Sequence, residues 1–573
     1  MAATAAQAQP AMRGEPALTP APGPMPHLRL APAQAKVRAI LPPVSAAEVA
    51  SVRAANEERT TKGEIRRRVV GVVREQAPAV LATARDLKWS AVAGGQAAQF
   101  AVTSPQAGSM RLAIDLAGVP GEVEMVVFGS AAPARLEGPV RVADVRDRTA
   151  PWWSPLTEGE TQTVEFFVPA GLDASRLALR VMRASHLFST LSSGFTKQLA
   201  DIGFSGACNV DLACSTLNNN AEFRNTASSV AQMVFNDDNW TVLCTGTLLA
   251  DGDASSQVPW FYSANHCFDK NSAPFRLPGQ IQAVANTLTT LWDFAASSCN
   301  SQSPRSTWSQ LHGGATYIYN NPESDVLLLR LNSAPPAGTY FAGWDAAPLS
   351  SGAQVISLHH PAGDLKKVSQ GSVQGFTVPG VADGNRSFIE VLWSSGTTEG
   401  GSSGAGLFTQ SGGQYYLRGG LWGGTALCTN RSGTDDFSRF DQTYPQLANY
   451  LGTANAPAYD YTDLWWNPNE SGWGLNLVQH PSKVIFGVWY TYESDGTRTW
   501  YVMPNGSWSG STRYTGPLYV TSGPSFEKAF DASLVQSRQV GSLTIDFSSQ
   551  DTGTLTYSVD GVTGTKSMQR QPY

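Results

Sequence analysis

Glu399-Gly-Gly-Ser-Ser-Gly-Ala-Gly-Leu407 is the stretch on which the reading of this chain turns. Glycines on both sides of a serine let the backbone bend until its N–H groups face one point, where a developing oxyanion can be held. Acyl transfer by serine also needs a base for the hydroxyl proton and a carboxylate that orients the base. Upstream, Ser263-Ala-Asn-His266-Cys267 places a histidine just after a strand-like run, Val258 to Tyr262, beside a cysteine able to pin its turn. Between the two, Glu323-Ser-Asp325-Val-Leu-Leu-Leu sets an acid at the head of an apolar run that would shield it from water. The three residues, His266, Asp325 and Ser403, span 138 positions in that order.

The same letters admit a second serine. Gly400-Gly-Ser402-Ser-Gly404 fits G-x-S-x-G, the nucleophile elbow of α/β hydrolases, with Ser402 reacting. That fold requires a helix after the serine and the histidine further downstream. Here Gly404 to Gly413 reads as strand and turn, and the only later histidine is His480, so Ser403 is preferred.

Composition agrees with short strands. The chain has 573 residues, enough at roughly 150 per domain for three or four domains. Hydrophobic residues make up 42%, charged residues only 15%, and 54 glycines and 35 prolines favour turns over long charged helices. A net charge of -6 gives no positive field for a nucleic acid backbone, and no run reaches the ~18 apolar residues that span a bilayer. Neither nucleic acid nor membrane is an expected partner. The N-terminal Met-Ala-Ala-Thr-Ala-Ala-Gln-Ala-Gln-Pro-Ala looks like the small-residue tail of a secretory signal. All six cysteines, Cys208, Cys214, Cys244, Cys267, Cys299 and Cys428, fall in one segment without a CxxC pair, which favours three disulfides in an oxidising compartment. Sequence alone does not choose among the 15 connectivities.

Along the chain, residues 1–45 hold nine of the 35 prolines and read as an extended, poorly ordered lead. Ser45 with Glu48 makes a capping box for a helix. From about Trp89 the pattern turns to period two, with Met110, Leu112, Ile114 and Leu116 alternating, then Glu122 to Phe128 after a turn. A β-rich region is thus expected over 46–202. The cysteine segment, 203–452, suits two β-barrels. Residues 453–573 carry Val484 to Tyr492 and Thr497 to Met503 around Asp495-Gly496, a strong hairpin signal. Six of the 16 tryptophans (Trp465, Trp466, Trp473, Trp489, Trp500, Trp508) lie there and are expected mainly in a core. Adjacent His359 and His360 face opposite ways if on a strand, so hydrogen bonding rather than a metal is expected of them, and no cofactor is implied.

The triad order is that of the trypsin-like two-barrel proteases. The segment resembles bacterial lysyl endopeptidases through Ser205-Gly-Ala-Cys208-Asn-Val-Asp-Leu-Ala-Cys214, Cys244-Thr-Gly-Thr-Leu-Leu, Ala264-Asn-His266-Cys267, Phe341-Ala-Gly-Trp-Asp345, Leu358-His-His-Pro361 and Gly401-Ser-Ser-Gly404. That resemblance implies an all-β, trypsin-like double barrel, with His266 as general base, Asp325 as its orienter and Ser403 as nucleophile. It implies amides of Gly401 and Ser403 as the oxyanion hole, and the pairs Cys208 with Cys428, Cys214 with Cys299 and Cys244 with Cys267. Following the nucleophile, Gly419-Gly-Leu-Trp422-Gly423-Gly424 would offer backbone and wall to an extended substrate, and in Thr434-Asp435-Asp436-Phe-Ser-Arg439 the resemblance makes Asp435 the specificity acid. A one-residue shift would present Asp436 instead. Trp422 stands where the best-known members carry a histidine, and Ser402 stands where vertebrate trypsin-like enzymes carry an aspartate that pairs with the new N-terminus.

Phe100-Ala-Val-Thr-Ser-Pro and Thr149-Ala-Pro-Trp-Trp-Ser-Pro resemble the propeptide of these secreted enzymes, implying a pro-region that assists folding or blocks the site. Its removal is expected at Lys197-Gln198 or near Gly203. Residues 453–573 look like an accessory β domain of bacterial secreted enzymes. The expectation is therefore a secreted, monomeric serine endopeptidase zymogen acting on proteins or peptides after basic residues, foremost Lys. The alternative is a secreted binding or adhesion protein with a spoiled triad and an aromatic, glycan-binding C-terminal domain.

Overall fold

Ser45 and Glu48 close the expected capping box: the Ser45 amide donates to Glu48 Oε2 (2.8 Å) and the Glu48 amide to Ser45 Oγ (3.2 Å). The helix Ala46–Thr61 starts there. Its buried Asn56 then acts as a surrogate strand, donating to Val69 O (2.9 Å) and accepting from Val69 N (3.0 Å). The computed structural model describes residues 11–18, 25–31, 37–61, 67–74, 82–145, 150–191, 205–252, 257–269, 274–377, 388–452, 457, 459–480 and 483–572. Lys197, Gln198 and Gly203 lie outside them. Two compact units emerge, one comprising Met1–Ala250 with Gln257–Thr443, the other Asp251–Ser256 with Tyr444–Tyr573.

In the first unit, the period-two run forms the strand Ser109–Asp115, but both its faces are buried. Met110, Leu112 and Ile114 enter one core while Ala113 packs with Val73 and Trp153 on the other side. The strand is sandwiched, which simple alternation does not announce. The lead is likewise not wholly without partners. Ala11–Met12 pairs with Gly343–Asp345 and Glu15–Pro16 with Tyr340–Phe341, edges at which a proline's missing N–H costs nothing.

The strand Arg68–Arg74 joins what the sequence reads as two regions. One edge pairs with Arg180–Leu187 and the other with Trp240–Leu249, so a single sheet runs from one region into the other. From there a first barrel runs in the order Ser309–Leu311, Thr289–Trp292, Val230–Asp237, Trp240–Leu249, Trp260–Ser263, Val326–Leu331, Ala315–Asn321. A bond from Gly314 N to Leu288 O (3.1 Å) draws its ends together. A second barrel closes completely: Gln354–His359, Lys367–Thr377, Phe388–Ser395, Thr434–Phe437, Gln414–Gly424 and Gly406–Ser411, which returns to the first strand. This is the all-β, trypsin-like double barrel. Gly406–Ser411 is a strand, so no helix follows Ser402 and the elbow reading fails.

The second unit contains an antiparallel ring of eight strands. Arg498–Met503, Ile485–Tyr492, Gly474–Gln479, Asp463–Trp466, Val562–Arg570, Thr552–Val559, Gln536–Phe547 and Arg513–Ser522 pair in turn, and Val502 opposite Tyr519 closes the circle. Gly496, at φ +82°, turns the expected hairpin. Trp465, Trp473, Trp489 and Trp508 are core residues, with Tyr461 stacked on Phe547, whereas Trp500 is exposed.

Candidate active site

His266 sits on the one-turn helix Asn265–Phe268, directly after the barrel strand Trp260–Ser263. A disulfide between Cys244 and Cys267 fastens that turn to the neighbouring strand. Asp325 holds the histidine twice, accepting from the His266 amide at Oδ1 (2.9 Å) and lying 2.7 Å from Nδ1 at Oδ2. Both side chains are buried. Asp325 itself adopts φ +53°, a left-handed turn that aspartate tolerates better than most residues, just before its strand begins. An ionised carboxylate only accepts, so the proton belongs on Nδ1 and Nε2 is left as the basic nitrogen.

Ser403 lies across the barrels from this pair and is tied to the same strand as Cys244. Thr245 N donates to Ser403 O (2.8 Å), and Thr245 Oγ1 donates to Gly401 O (3.0 Å). The Ser403 hydroxyl and His266 Nε2 are both buried, and neither has a hydrogen-bond partner among the described residues. Two peptide groups decide where the neighbouring amides point. The carbonyl of Gly400 accepts from Ala362 N (2.6 Å) and that of Ser402 from Ala405 N (2.9 Å). In a trans peptide the N–H points opposite its carbonyl, so the Gly401 and Ser403 amides turn away from these anchors. Glycine is required at two corners: Gly401 at φ +98°, where a Cβ would lie 2.9 Å from His360 O, and Gly404 at φ +80°, pressed on Ser263 and Thr245.

Asp435 occupies the strand Thr434–Phe437 between Phe388–Ser395 and Gln414–Gly424, opposite Val391 and Gly424. It is fully buried and accepts at Oδ2 from Trp393 Nε1 (2.6 Å) and Thr398 Oγ1 (2.7 Å). Thr398 stands five residues before Ser403, so this carboxylate is tied to the segment that carries the serine. Asp436 faces the other way, accepting from Thr377 Oγ1 (2.6 Å), with burial and then nearby Glu390 pushing its carboxyl up to about 6. Gly423 pairs with Asp436, and the Trp422 ring packs 5.9 Å from Phe388. Arg439 pairs with Asp441 and lies over Phe376. The remaining cysteines join as Cys208–Cys428 and Cys214–Cys299, the former clamping the loop after Gly424.

Around these residues lie others, of which Glu399, Arg67 and Asp237 were not singled out in the sequence. Glu399 accepts from Gly206 N (2.9 Å) and Asn209 Nδ2 (2.8 Å), and burial raises its carboxyl's pKa. His360 binds the Asp364 carbonyl (3.0 Å) and stacks on Phe294, while His359 turns to Ser402. Hydrogen bonding is what the sequence leads one to expect of this adjacent pair, and both rings engage in it. Arg67 reaches the Cys267 carbonyl (3.1 Å) and forms a buried ion pair with Asp237, which Arg276 shares. Burial alone would raise Asp237, but the two guanidiniums hold it below the usual carboxylate range.

The lysyl endopeptidase C-terminal domain family matches residues 202–438, and the lysyl endopeptidase N-terminal domain family matches residues 40–188. A lysyl endopeptidase of Pseudomonas aeruginosa is 36% identical over 369 residues, covering 62% of this chain and 76% of its own. Among solved structures, the Rv3671c protease of M. tuberculosis matches in an inactive form (18% identity, 42% of this chain, 97% of that chain, TM-score 0.26). Its active form matches at 19% identity, over 42% of this chain and 87% of that chain, with a TM-score of 0.27. With both halves of the family's sequence present in order and a relative of that identity along most of its length, the chain belongs to the lysyl endopeptidase family.

Proposed function

We infer that the chain is a secreted serine endopeptidase made as a zymogen, cutting peptide bonds after basic residues and foremost after Lys. The observation that carries the reading is the buried His266–Asp325 pair at 2.7 Å on the first barrel, set against a glycine-bent loop that presents Ser403 from the second. In the proposed reaction, His266 Nε2 takes the Ser403 proton as Oγ attacks the substrate carbonyl carbon. The Gly401 and Ser403 amides hold the oxyanion, and His266 then protonates the leaving amine. Asp325 keeps the imidazole in the required tautomer. Asp435 receives the substrate's ammonium at the end of a pocket walled by Trp422 and Gly423, where shielding makes the ion pair outweigh the loss of water.

Residues 203–452 form the catalytic domain, 46–202 the pro-region and 453–573 an accessory module. A role for the pro-region as inhibitor is supported by the strand Arg68–Arg74. It occupies the edge Trp240–Leu243, one residue before Cys244, whose disulfide partner adjoins His266. The buried state of Ser403 and His266 in the full chain agrees. Processing at Lys197-Gln198 or near Gly203 would release that strand. Reaction with a fluorophosphonate tests the mechanism: the processed protein should be labelled rapidly at Ser403, and absence of labelling, or an adduct on Ser402, would reject it.

A further inference from the structure

The nucleophile loop needs something to hold its shape. In vertebrate trypsin-like enzymes an aspartate beside the nucleophile does this through the new N-terminus, and here that position is Ser402, which carries no charge. Its hydroxyl instead lies 2.8 Å from His359 Nδ1, and the opposite ring nitrogen, Nε2, lies 3.0 Å from Ser369 Oγ. All three side chains are fully buried.

Donor and acceptor roles along this chain follow from its ends. Ser369 Oγ spends its hydrogen on the Thr397 carbonyl (2.9 Å), so it accepts from His359 Nε2–H. Nδ1 is then unprotonated and accepts from the Ser402 hydroxyl, while Ser402 Oγ accepts from the Glu399 amide (3.2 Å). The result is one directional relay, Glu399 N–H to Ser402 to His359 to Ser369 to Thr397 O. It begins and ends within the loop that leads to Ser403 and crosses it through a single imidazole. Burial, followed by nearby Lys367, pushes His359 down to about 3, which keeps the ring neutral as this relay demands.

We propose that His359 is a positioning residue for catalysis, fixing the oxyanion loop through Ser402 and Thr397 so that the loop is set without an N-terminal ammonium. The proposal rests on Ser403 being the nucleophile. Latency of the precursor then comes from the pro-region covering the site rather than from a collapsed loop.

The test compares His359→Leu, His359→Gln, Ser402→Ala and His359→Leu/Ser402→Ala. Each is made as the full chain and processed by a trace of tagged wild type that is then removed. His359→Leu and Ser402→Ala should each lower kcat on a lysine ester by about ten- to a hundredfold with KM nearly unchanged. A peptide lysinal, whose hemiacetal oxygen needs the hole, should weaken in proportion, while a simple alkylammonium inhibitor that fills only the pocket should bind as before. His359→Gln, which keeps one donor and one acceptor, should recover part of the loss. The double variant should be no worse than either single one, because both cut the same relay. Wild-type kcat in Ser402→Ala, additive losses in the double variant, or equal weakening of both inhibitors would each overturn the proposal. Should His359→Leu fail to fold, Ser402→Ala, which deletes one oxygen, decides alone. Failure of the underlying reading shows differently, as turnover retained in Ser403→Ala.

Discussion

At the residue scale, the site is a set of small parts whose removal should have unequal effects. Ser403→Ala deletes one oxygen at a loop whose shape is fixed by Thr245, Ala362 and Ala405, so the fold should survive while turnover falls by about a thousandfold or more. Circular dichroism beside a lysine-ester assay checks both halves. Asp435→Asn keeps an acceptor for Trp393 and Thr398 but removes the charge. Cleavage after Lys should then drop by at least about tenfold, or roughly 1.4 kcal/mol, with phosphonate labelling little changed. If Asp435→Asn cuts Lys substrates like wild type, Asp436→Asn becomes the variant to examine, although Asp436 faces Thr377 on the other side of its strand. The contact of Asp325 with His266 was legible because both motifs are local and their chemistry restricts residue type, whereas Asp435 was singled out only by the family resemblance. The contacts of Trp393 and Thr398 with Asp435, and the partner of His359, were not legible, since they join residues 37 to 43 positions apart.

At the scale of elements, the decisive contact is the strand Arg68–Arg74 on Trp240–Leu243, anchored by Arg67 in a buried pair with Asp237. Removing Arg67 leaves Asp237 still paired with Arg276, so Arg67→Ala should weaken pro-region docking by less than the about 3–5 kcal/mol that loss of a sole partner costs. Early activity in the unprocessed Arg67→Ala precursor is the expected readout. Acid should loosen the same region. His186, buried on the strand that pairs with Arg68–Arg74, is pushed down to about 4 by burial and then by Arg74, and His312 to about 4 by burial and then by Arg111. The unfolded chain takes up a proton near 6.5 while the folded chain does not, so stability is full above that pH and falls as pH drops toward 4. His186 alone accounts for about 3 kcal/mol across that window. Denaturant midpoints of full-length Ser403→Ala at pH 7 and 4.5 measure it, and His186→Gln should reduce the difference. Sequence patterns expose hairpins such as the one at Gly496 but not this pairing, whose partners are more than 160 positions apart. The period-two reading found the strand Ser109–Asp115 but not the burial of its second face.

At the scale of the molecule, three staples hold the double barrel, closing loops of 220, 85 and 23 residues. By loop-closure entropy the first contributes about 5 kcal/mol and the last about 3. Removing Cys208–Cys428 should therefore cost more stability, whereas removing Cys244–Cys267 should cost more activity, because that bridge borders His266. Thermal melts and ester turnover of the two double-alanine variants separate these effects. The central claim is that Ser403 makes this chain an endopeptidase selective for Lys. It is tested most directly by mass analysis of a peptide containing one Lys and one Arg, incubated with processed wild type and with Ser403→Ala processed in trans. Wild type should yield only the two fragments divided after Lys, and Ser403→Ala should leave the peptide intact. An intact peptide with wild type, or equal cleavage by both proteins, would contradict the claim.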